Sequence, residues 1–592
     1  MLIPLVTTLL PIEILIQSLV SEYVHNFCIT IVSESPLNLN FNRSFIYINV
    51  DENVDLNNRV FEVSEMGCSD YIVNMESPQR FMEAFDKAIT TGNTRRSDRK
   101  LIFLPFANNS SSILDVLSMK ETGYVANVLL VVPADGTQDC KIYSMVTHRF
   151  VGDDDSLTEP VYLDKWDSCS NNFDVNANLF PHDMKNLLAK TVKVASCTYK
   201  PYTIMDLDPS VSPNGRDGIE VRVIEEFCRW VNCTIEMTVD DVDKWGEVYE
   251  NRTGYGILGA LVEDRVDITA LYTWYEEYVN LDFSSTTIKT TVTCLVPSPR
   301  LVASWQTPLL PFSWMMWLGL VFTFFYAAVA LIIAQGCSTA NAFLTTFGMM
   351  VTQSQDDPGG SWRVRSVTGW LLVTGLVLDN AYGAGLAATF TVPKYEDSIE
   401  TIQDLVDHRM EWGADFAAWA YAFEPLIKQL LNQFRVYSPE VLERKSFTRD
   451  FAFSIEKLPG GSFAIGDYVT KEAVPDLRLM AEDFYGGDCV VNLRKSSPYT
   501  DKLTELLLQL HAAGLMLAWE TQVSLQHLDF KLQLGVKLSR TKKDVDEVVP
   551  LAFRHVEGIF FLYFAGVIIS TILFVAELCR KRNKAARTDL EI

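Results

Sequence analysis

Asn380-Ala-Tyr-Gly-Ala-Gly-Leu-Ala-Ala-Thr-Phe-Thr-Val392 closes an apolar segment of spanning length, Val367–Ala388. Small residues recur through it, and inside a bilayer small residues let helices approach one another closely. The stretch reads as one of two things: the packed end of a pore helix, or an ordinary tightly packed membrane helix. Its surroundings must decide. Asp379 and Asn380 make the segment less apolar. An acid within a membrane is functional by default, or else it lines a water-filled vestibule near the outer surface.

On either side lie two more segments long and apolar enough to span a bilayer. They are Pro311–Ala334 (PFSWMMWLGLVFTFFYAAVALIIA) and Gly558–Ala576 (GIFFLYFAGVIISTILFVA). A further patch, Ala342–Val351, is apolar but too short to cross. Glycosylation sequons at Asn42, Asn108, Asn109, Asn232 and Asn251 all precede the first span, which argues that this part is outside. Arg580-Lys-Arg-Asn-Lys-Ala-Ala-Arg587 follows the last span, and the positive-inside rule puts it in the cytoplasm. An outside start and an inside end need an odd number of crossings, which three spans supply. The short patch is then a re-entrant loop, tolerated where protein or water covers its backbone. Arg363 and Arg365 fit an inner-side return. Met1–Leu19 is apolar and short, and reads as a signal peptide, although its start carries no positive charge.

At 592 residues the chain is long enough for three or four domains. A net charge of −25 argues against a nucleic-acid partner. Cys28, Cys68, Cys140, Cys169, Cys197, Cys228, Cys233 and Cys294 precede the first span. An even number in an exported region suggests disulfides, whose pairing spacing does not reveal. Cys228 and Cys233 are near enough to bridge locally, and Cys197 and Cys294 bracket a segment that a bridge would staple. The histidines do not cluster with these cysteines, so no zinc site is expected. No metal or other cofactor is expected either.

The Asn380–Val392 stretch resembles the gate signature SYTANLAAFLTV of ionotropic glutamate receptors. It agrees at Tyr382, Ala384, Leu386, Ala387, Ala388, Thr391 and Val392. The order of parts is also that family's, with a two-lobed ligand domain interrupted by the pore. The resemblance continues in order from about Val194 to Glu577, through Gly218-Ile-Glu-Val-Arg-Val-Ile-Glu-Glu-Phe227, Trp245-Gly246, Val266-Asp-Ile-Thr269 and Leu281-Asp-Phe-Ser284. It resumes at Val491-Asn-Leu-Arg-Lys-Ser-Ser-Pro-Tyr-Thr-Asp501 and Gly514-Leu-Met-Leu-Ala-Trp-Glu520.

That resemblance implies a multidomain membrane protein. An α/β bilobed, periplasmic-binding-protein-like ligand domain would be split by an α-helical pore domain with three transmembrane helices and a re-entrant loop. The expected parts are a signal peptide (1–19), a shortened extracellular N-terminal domain (20–190) and a first ligand segment (191–303). A pore domain (304–394) follows, with helices 311–334 and 365–390 around a loop at 338–361. The second ligand segment (395–549), the last transmembrane helix (550–579) and a cytoplasmic tail (580–592) complete it.

The ligand residues depart from the family. Where the family's carboxylate-clamping arginine belongs, five residues before Asp282, this chain has Glu277, within Leu271-Tyr-Thr-Trp-Tyr-Glu-Glu-Tyr278. The nearest cation, Arg265, fits the preceding turn and reads as a surface charge. Trp412-Gly-Ala-Asp-Phe-Ala-Ala-Trp419 offers Asp415 where the family has a small hydroxyl, although aspartate also suits a helix N-cap. Phe463-Ala-Ile-Gly-Asp-Tyr468 places Asp467 near the family's amine-binding acid. The candidate ligand residues are Tyr272, Thr273, Glu277, Asp415 and Asp467. A carboxylate ligand would meet like charges there, at a cost of several kcal/mol. The crevice therefore favours a neutral or cationic molecule such as an amine. Tyr272, Trp274, Tyr275 and Trp419 would add cation–π contact, or would simply pack the core.

The loop Phe343-Leu-Thr-Thr-Phe-Gly-Met-Met-Val-Thr-Gln-Ser-Gln-Asp-Asp-Pro358 resembles the family pore loop. Selectivity depends on what rings the narrowest point, and the candidates are Thr352, Gln353, Ser354 and Gln355, with Asp356 and Asp357 as an acidic ring or as a solvated turn. The loop has no lysine or arginine, which argues against an anion pore. Gly383 and Gly385 replace the family's Thr and Asn in the gate, and glycines make helix ends more pliable.

The shortened N-terminal domain, divergent gate and altered ligand residues resemble the divergent arthropod ionotropic receptors. This implies a chemosensory cation-channel subunit in the plasma membrane of a sensory neuron, assembled as a tetramer with co-receptor subunits among membrane lipid. The same resemblance admits a temperature- or humidity-sensing subunit with a vestigial crevice. A tethered binding protein would lack the interrupting pore. An enzyme ectodomain finds no support, because GxSxG, HExxH, phosphate-cradling glycine loops and catalytic Cys–His spacing are all missing.

Overall fold

The computed structural model describes residues 10–39, 41–51, 54–106, 111–135, 140–152, 159–272, 277–300, 304–336, 338–353, 361–391, 395–417, 425–541 and 553–588. They form two compact units: residues 1–297 with 400–540, and residues 298–399 with 541–592.

In the first unit, the amino-terminal part is built on an eight-stranded sheet. Strands Phe45–Asn49, Ile29–Ser33, Asp70–Asn74, Lys100–Phe103 and Asn127–Ala134 lie side by side in parallel. Ile142–His148 and Pro160–Asp167 then add on antiparallel. The inner strands ITIVS and DYIVN are buried along their whole length, as parallel strands covered on both faces must be. Helices Leu56–Glu65 and Pro78–Thr91 cover one face, packing Val60, Val63, Phe81 and Phe85 on Val32, Tyr71 and Leu101. Helix Pro11–Tyr23 covers the other, with Leu15, Ile16, Leu19 and Val20 on Ile29, Ile72, Ile102 and Leu129. That helix begins inside the segment expected as a signal peptide. Its buried Glu13 carboxylate accepts from the backbone N–H groups of Leu10 and Asn38, each at 2.7 Å. Disulfides Cys28–Cys68 and Cys140–Cys169 close this part.

The rest of the first unit is two α/β lobes strung on one ten-stranded sheet. The first lobe holds strands Thr234–Val239, Thr191–Ser196 and Ile268–Tyr272, with helices Ile219–Val231, Gly256–Val262, Thr500–Ala512 and Leu515–His527. The second holds strands Phe451–Lys457, Glu411–Ala414 and Phe434–Val436, around a core of Leu442, Phe451, Phe453, Val469 and Val536. A long antiparallel pair, Leu281–Pro297 against Tyr485–Arg494, runs from one lobe into the other, with register shifts between Phe283 and Ile288. Cys228–Cys233 is a local bridge. The Cys197–Cys294 staple does not form. Cys197 is packed with Trp245 and Leu261 in the first lobe, whereas Cys294 sits on the long strand opposite Ser454 of the second. Cys489 is buried and outside any disulfide.

The second unit contains three helices long and apolar enough to cross a membrane, Trp314–Gln335, Trp362–Phe390 and Val556–Arg580. Between the first two lies the twelve-residue helix Thr339–Met350, about 18 Å long at 1.5 Å per residue and so too short to span. It packs Ala342 and Met349 against Ala327, Leu331 and Leu371 of its neighbours. At Gly375 a Cβ would run into the Met349 carbonyl, so only glycine allows these two backbones to lie this close.

Candidate functional site

The two lobes meet where the chain leaves strand Thr191–Ser196. Tyr199 and Thr203 pair through two backbone hydrogen bonds of 2.9 Å, making a tight loop that presents Tyr199 and Tyr202 on one side. Their rings stack, with centroids 5.5 Å apart. Gly218 (φ +132°) starts the next helix directly against the Tyr202 backbone, where a Cβ would collide. Facing them is Glu456, near the end of the second-lobe strand Phe451–Lys457. Tyr202 donates to Glu456 Oε2 over 2.6 Å and Tyr199 to Oε1 over 3.1 Å. Glu456 is only 3% exposed.

Aromatic rings close around this carboxylate. Trp245 and Phe416 stand 5.0 and 5.7 Å from Tyr199, and 5.1 Å from each other. Beside them Lys244 Nζ binds Asp415 Oδ2 at 2.6 Å, tying the first lobe to the second. Burial pushes the Glu456 carboxyl up to about 7, against the lowering effect of the two tyrosine hydroxyls. Glu220, on the first turn of the helix that Gly218 starts, is 4% exposed. Burial first, and then the Glu456 charge, push it to about 8. The cavity left among Tyr199, Phe416, Ile455, Glu456 and Tyr485 measures about 10 Å³, room for a single water.

Of the ligand residues expected from the sequence, Asp415 borders this site, and its charge is matched by Lys244. Asp467 lies on the far side of Lys200, bound to its Nζ at 3.0 Å, with an 82% exposed side chain. Tyr272 ends a first-lobe strand with its backbone opposite Cys489, and Glu277 begins the short helix Glu277–Asn280. Thr273, Trp274, Tyr275 and Trp419 lie outside the described residues. Tyr199, Tyr202, Lys244, Trp245 and Glu456 are the residues that sequence reasoning missed. The available signal was an acid on an otherwise apolar strand, Phe451-Ala-Phe-Ser-Ile-Glu456.

In the membrane unit, Thr352 Oγ1 lies 3.4 Å from Asp379 Oδ2, and the Gln353 N–H donates to the Gly348 carbonyl over 2.8 Å. Ser354, Gln355, Asp356 and Asp357 lie outside the described residues. Tyr382 donates to the Pro308 carbonyl over 3.0 Å and rests against Phe312. Ala384, Ala387 and Ala388 are exposed along the same helix, and Leu386 is half-buried. The Glu396 N–H donates to the Arg300 carbonyl over 2.8 Å, joining the segments that flank the apolar helices Trp314–Gln335 and Trp362–Phe390. Asn42, Asn232 and Asn251 are exposed, while Asn108 and Asn109 lie outside the described residues. The ligand atoms of Cys140, Asp167 and Cys169 lie within 4.8 Å of one another, but the two sulfurs are already bonded to each other.

Two α/β lobes are interrupted in sequence by helices long and apolar enough to cross a membrane, and are followed by another. The ligand-gated ion channel family matches residues 313–567. The mouse protein "Glutamate receptor ionotropic, delta-2" is 22% identical over 438 residues, which are 68% of this chain and 42% of that protein. Its zebrafish (Danio rerio) counterpart is 22% identical over 447 residues, with the same two shares. Human "Glutamate receptor ionotropic, delta-1" is 24% identical over 404 residues, 60% of this chain and 38% of that protein. The chain is thus similar to ionotropic glutamate receptors, which are ion channels, with distant homology to the delta type. The chain spans less than half the length of the curated relatives it matches.

Proposed function

We propose that this chain is a pore-forming subunit of a ligand-gated cation channel, and that its crevice takes a small neutral or cationic molecule, such as an amine, in place of glutamate. The observation that carries the reading is Glu456: a buried carboxylate between the lobes, ringed by Tyr199, Tyr202, Trp245 and Phe416. A cation gains from the carboxylate and from the ring faces together, whereas a carboxylate ligand would be repelled. Differential binding to the closed lobes would pull on the segments joined at Arg300 and Glu396 and open the helix ends around Tyr382, Ala384, Leu386, Ala387 and Ala388. The subunit would work in the plasma membrane of a sensory neuron, in a tetramer with co-receptor subunits of its family, carrying glycans at its exposed sequons. Its chemosensory role and its likeness to arthropod ionotropic receptors belong to the same proposal.

One observation favours a second reading. The cavity beside Glu456 is about 10 Å³ because Tyr199, Phe416 and Tyr485 fill the crevice themselves, which suits a temperature or humidity sensor that needs no ligand. Whole-cell recording with a family co-receptor, during an amine panel and a temperature step, separates the two. An amine-evoked cation current that Glu456→Gln abolishes supports the first reading. Current evoked by temperature alone, and unchanged by that substitution, replaces it with the second.

A further inference from the structure

We propose that the amino-terminal domain is a fixed extension of the first lobe, clamped there by Arg494 held between carboxylates of both domains. The guanidinium donates from Nη2 to Asp86 Oδ1 at 2.6 Å and from Nε to Asp264 Oδ1 at 2.7 Å. Asp86 belongs to helix Pro78–Thr91 of the amino-terminal domain, and Asp264 follows helix Gly256–Val262 of the first lobe. The guanidinium carbon lies 4.0 Å from the centre of the Tyr124 ring, and the arginine side chain is 6% exposed. A buried charge removed from one partner leaves the other uncompensated, which is strongly unfavourable. The clamp therefore resists opening.

A second clamp lies beside it. Arg95, in the loop after the same helix, binds Asp282 Oδ1 at 3.0 Å and donates to the Leu281 carbonyl. The other Asp282 oxygen accepts from the Ser496 N–H over 2.9 Å. Ser97, two residues further on, donates to Asp501. These partners fall in Leu281-Asp-Phe-Ser284 and the Val491–Asp501 run, two stretches that carry the family resemblance. Here they hold a neighbouring domain.

The apolar core also crosses the junction. Ala126, Phe150 and Leu187 pack in one cluster with Val192, Phe227 and Tyr499 of the first lobe. Domains joined by a linker move independently unless their interface is large and apolar, and a shared core removes that freedom. The first lobe and the amino-terminal domain then act as one body, and closure of the crevice is motion of the second lobe. The clamp stands whether or not the crevice takes a ligand.

Hydrogen exchange on the full-length chain in detergent tests this, reading residues 92–99 in one domain and 494–501 in the other. Asp86→Asn should speed exchange in both segments together, on the order of tenfold, with the strands Lys100–Phe103 and Thr191–Ser196 unchanged. Faster exchange only in 92–99, or in neither, would overturn the proposal. If Asp86→Asn also exposes those strands, Ser97→Ala decides instead: a paired rise in both segments supports the clamp, and an unpaired one or none refutes it.

Discussion

Tyr202 reaches across the crevice and donates to Glu456 over 2.6 Å, so a buried carboxylate of the second lobe is bonded to the first. A ligand group that binds Glu456 competes with the two tyrosine hydroxyls already on it. The contact between the lobes is therefore one that the protein makes with its own side chains.

Tyr202→Phe removes one donor and leaves Glu456 Oε2 buried without it. An unsatisfied buried acceptor costs about 1–3 kcal/mol, so the melting temperature of the purified chain should fall by several degrees. Tyr199→Phe should cost less, because its bond is longer and its side chain only half-buried. Equal losses in the two variants would mean that the carboxylate is not what joins the lobes.

Glu456 and Glu220 hold protons in the folded chain, to about 7 and about 8, where an unfolded chain has lost them above about 4.3. The folded state binds more protons, so stability falls as pH rises. Buried His148, lowered to about 3 by desolvation, works in the opposite sense, but only below its ordinary value near 6.5. Lys495, lowered to about 8 by burial, also works in the opposite sense near that pH, so the acids are read in the window from pH 6.5 to about 7. Melting temperature should drop across it, and Glu220→Gln should flatten the slope; a rising slope would contradict the burial of these groups.

Lys244 and Asp415 are each about four-fifths shielded, so their pair should exceed the 0–1 kcal/mol of an exposed ion pair. A double-mutant cycle of Lys244→Ala and Asp415→Ala, read in thermal stability, should give a coupling energy of about 1 kcal/mol or more. No coupling would mean that Asp415 acts alone, for instance as a helix cap.

In the membrane unit, Gly375→Ala drives a methyl group into the Met349 carbonyl, whereas Gly383→Ala meets nothing within 4 Å. Overpacking of this kind costs about 1–3 kcal/mol. Surface expression should fall sharply for the first and hold for the second; the reverse order would show that the short helix does not pack on Trp362–Thr391 as described.

What was legible in the sequence followed from constraints that act locally. A bilayer demands about 20 apolar residues, so Pro311–Ala334 and Gly558–Ala576 announce themselves, and Ala342–Val351 is visibly too short. A separation of five positions between Cys228 and Cys233 suffices to suggest their bridge. The site was less legible because its chemistry depends on distant partners. Glu456 is buried by Tyr199 and Tyr202, more than 250 positions away, and nothing beside it in sequence announces that. Counting along the chain leads to Asp467, which the fold leaves exposed beside Lys200. Asp415 reads as an unpaired acid until the fold brings up Lys244, 171 positions earlier.

The paired strands Leu281–Pro297 and Tyr485–Arg494 carry both lobes like a torsion bar. In an antiparallel pair the ladder bonds run across the strands, so sliding one strand past the other would strain many of them together, whereas twist is taken up most readily where the register slips between Phe283 and Ile288. The lobes are thereby denied simple separation. Relative motion of the lobes therefore falls on this ribbon as bending or twist, most of all where its register slips.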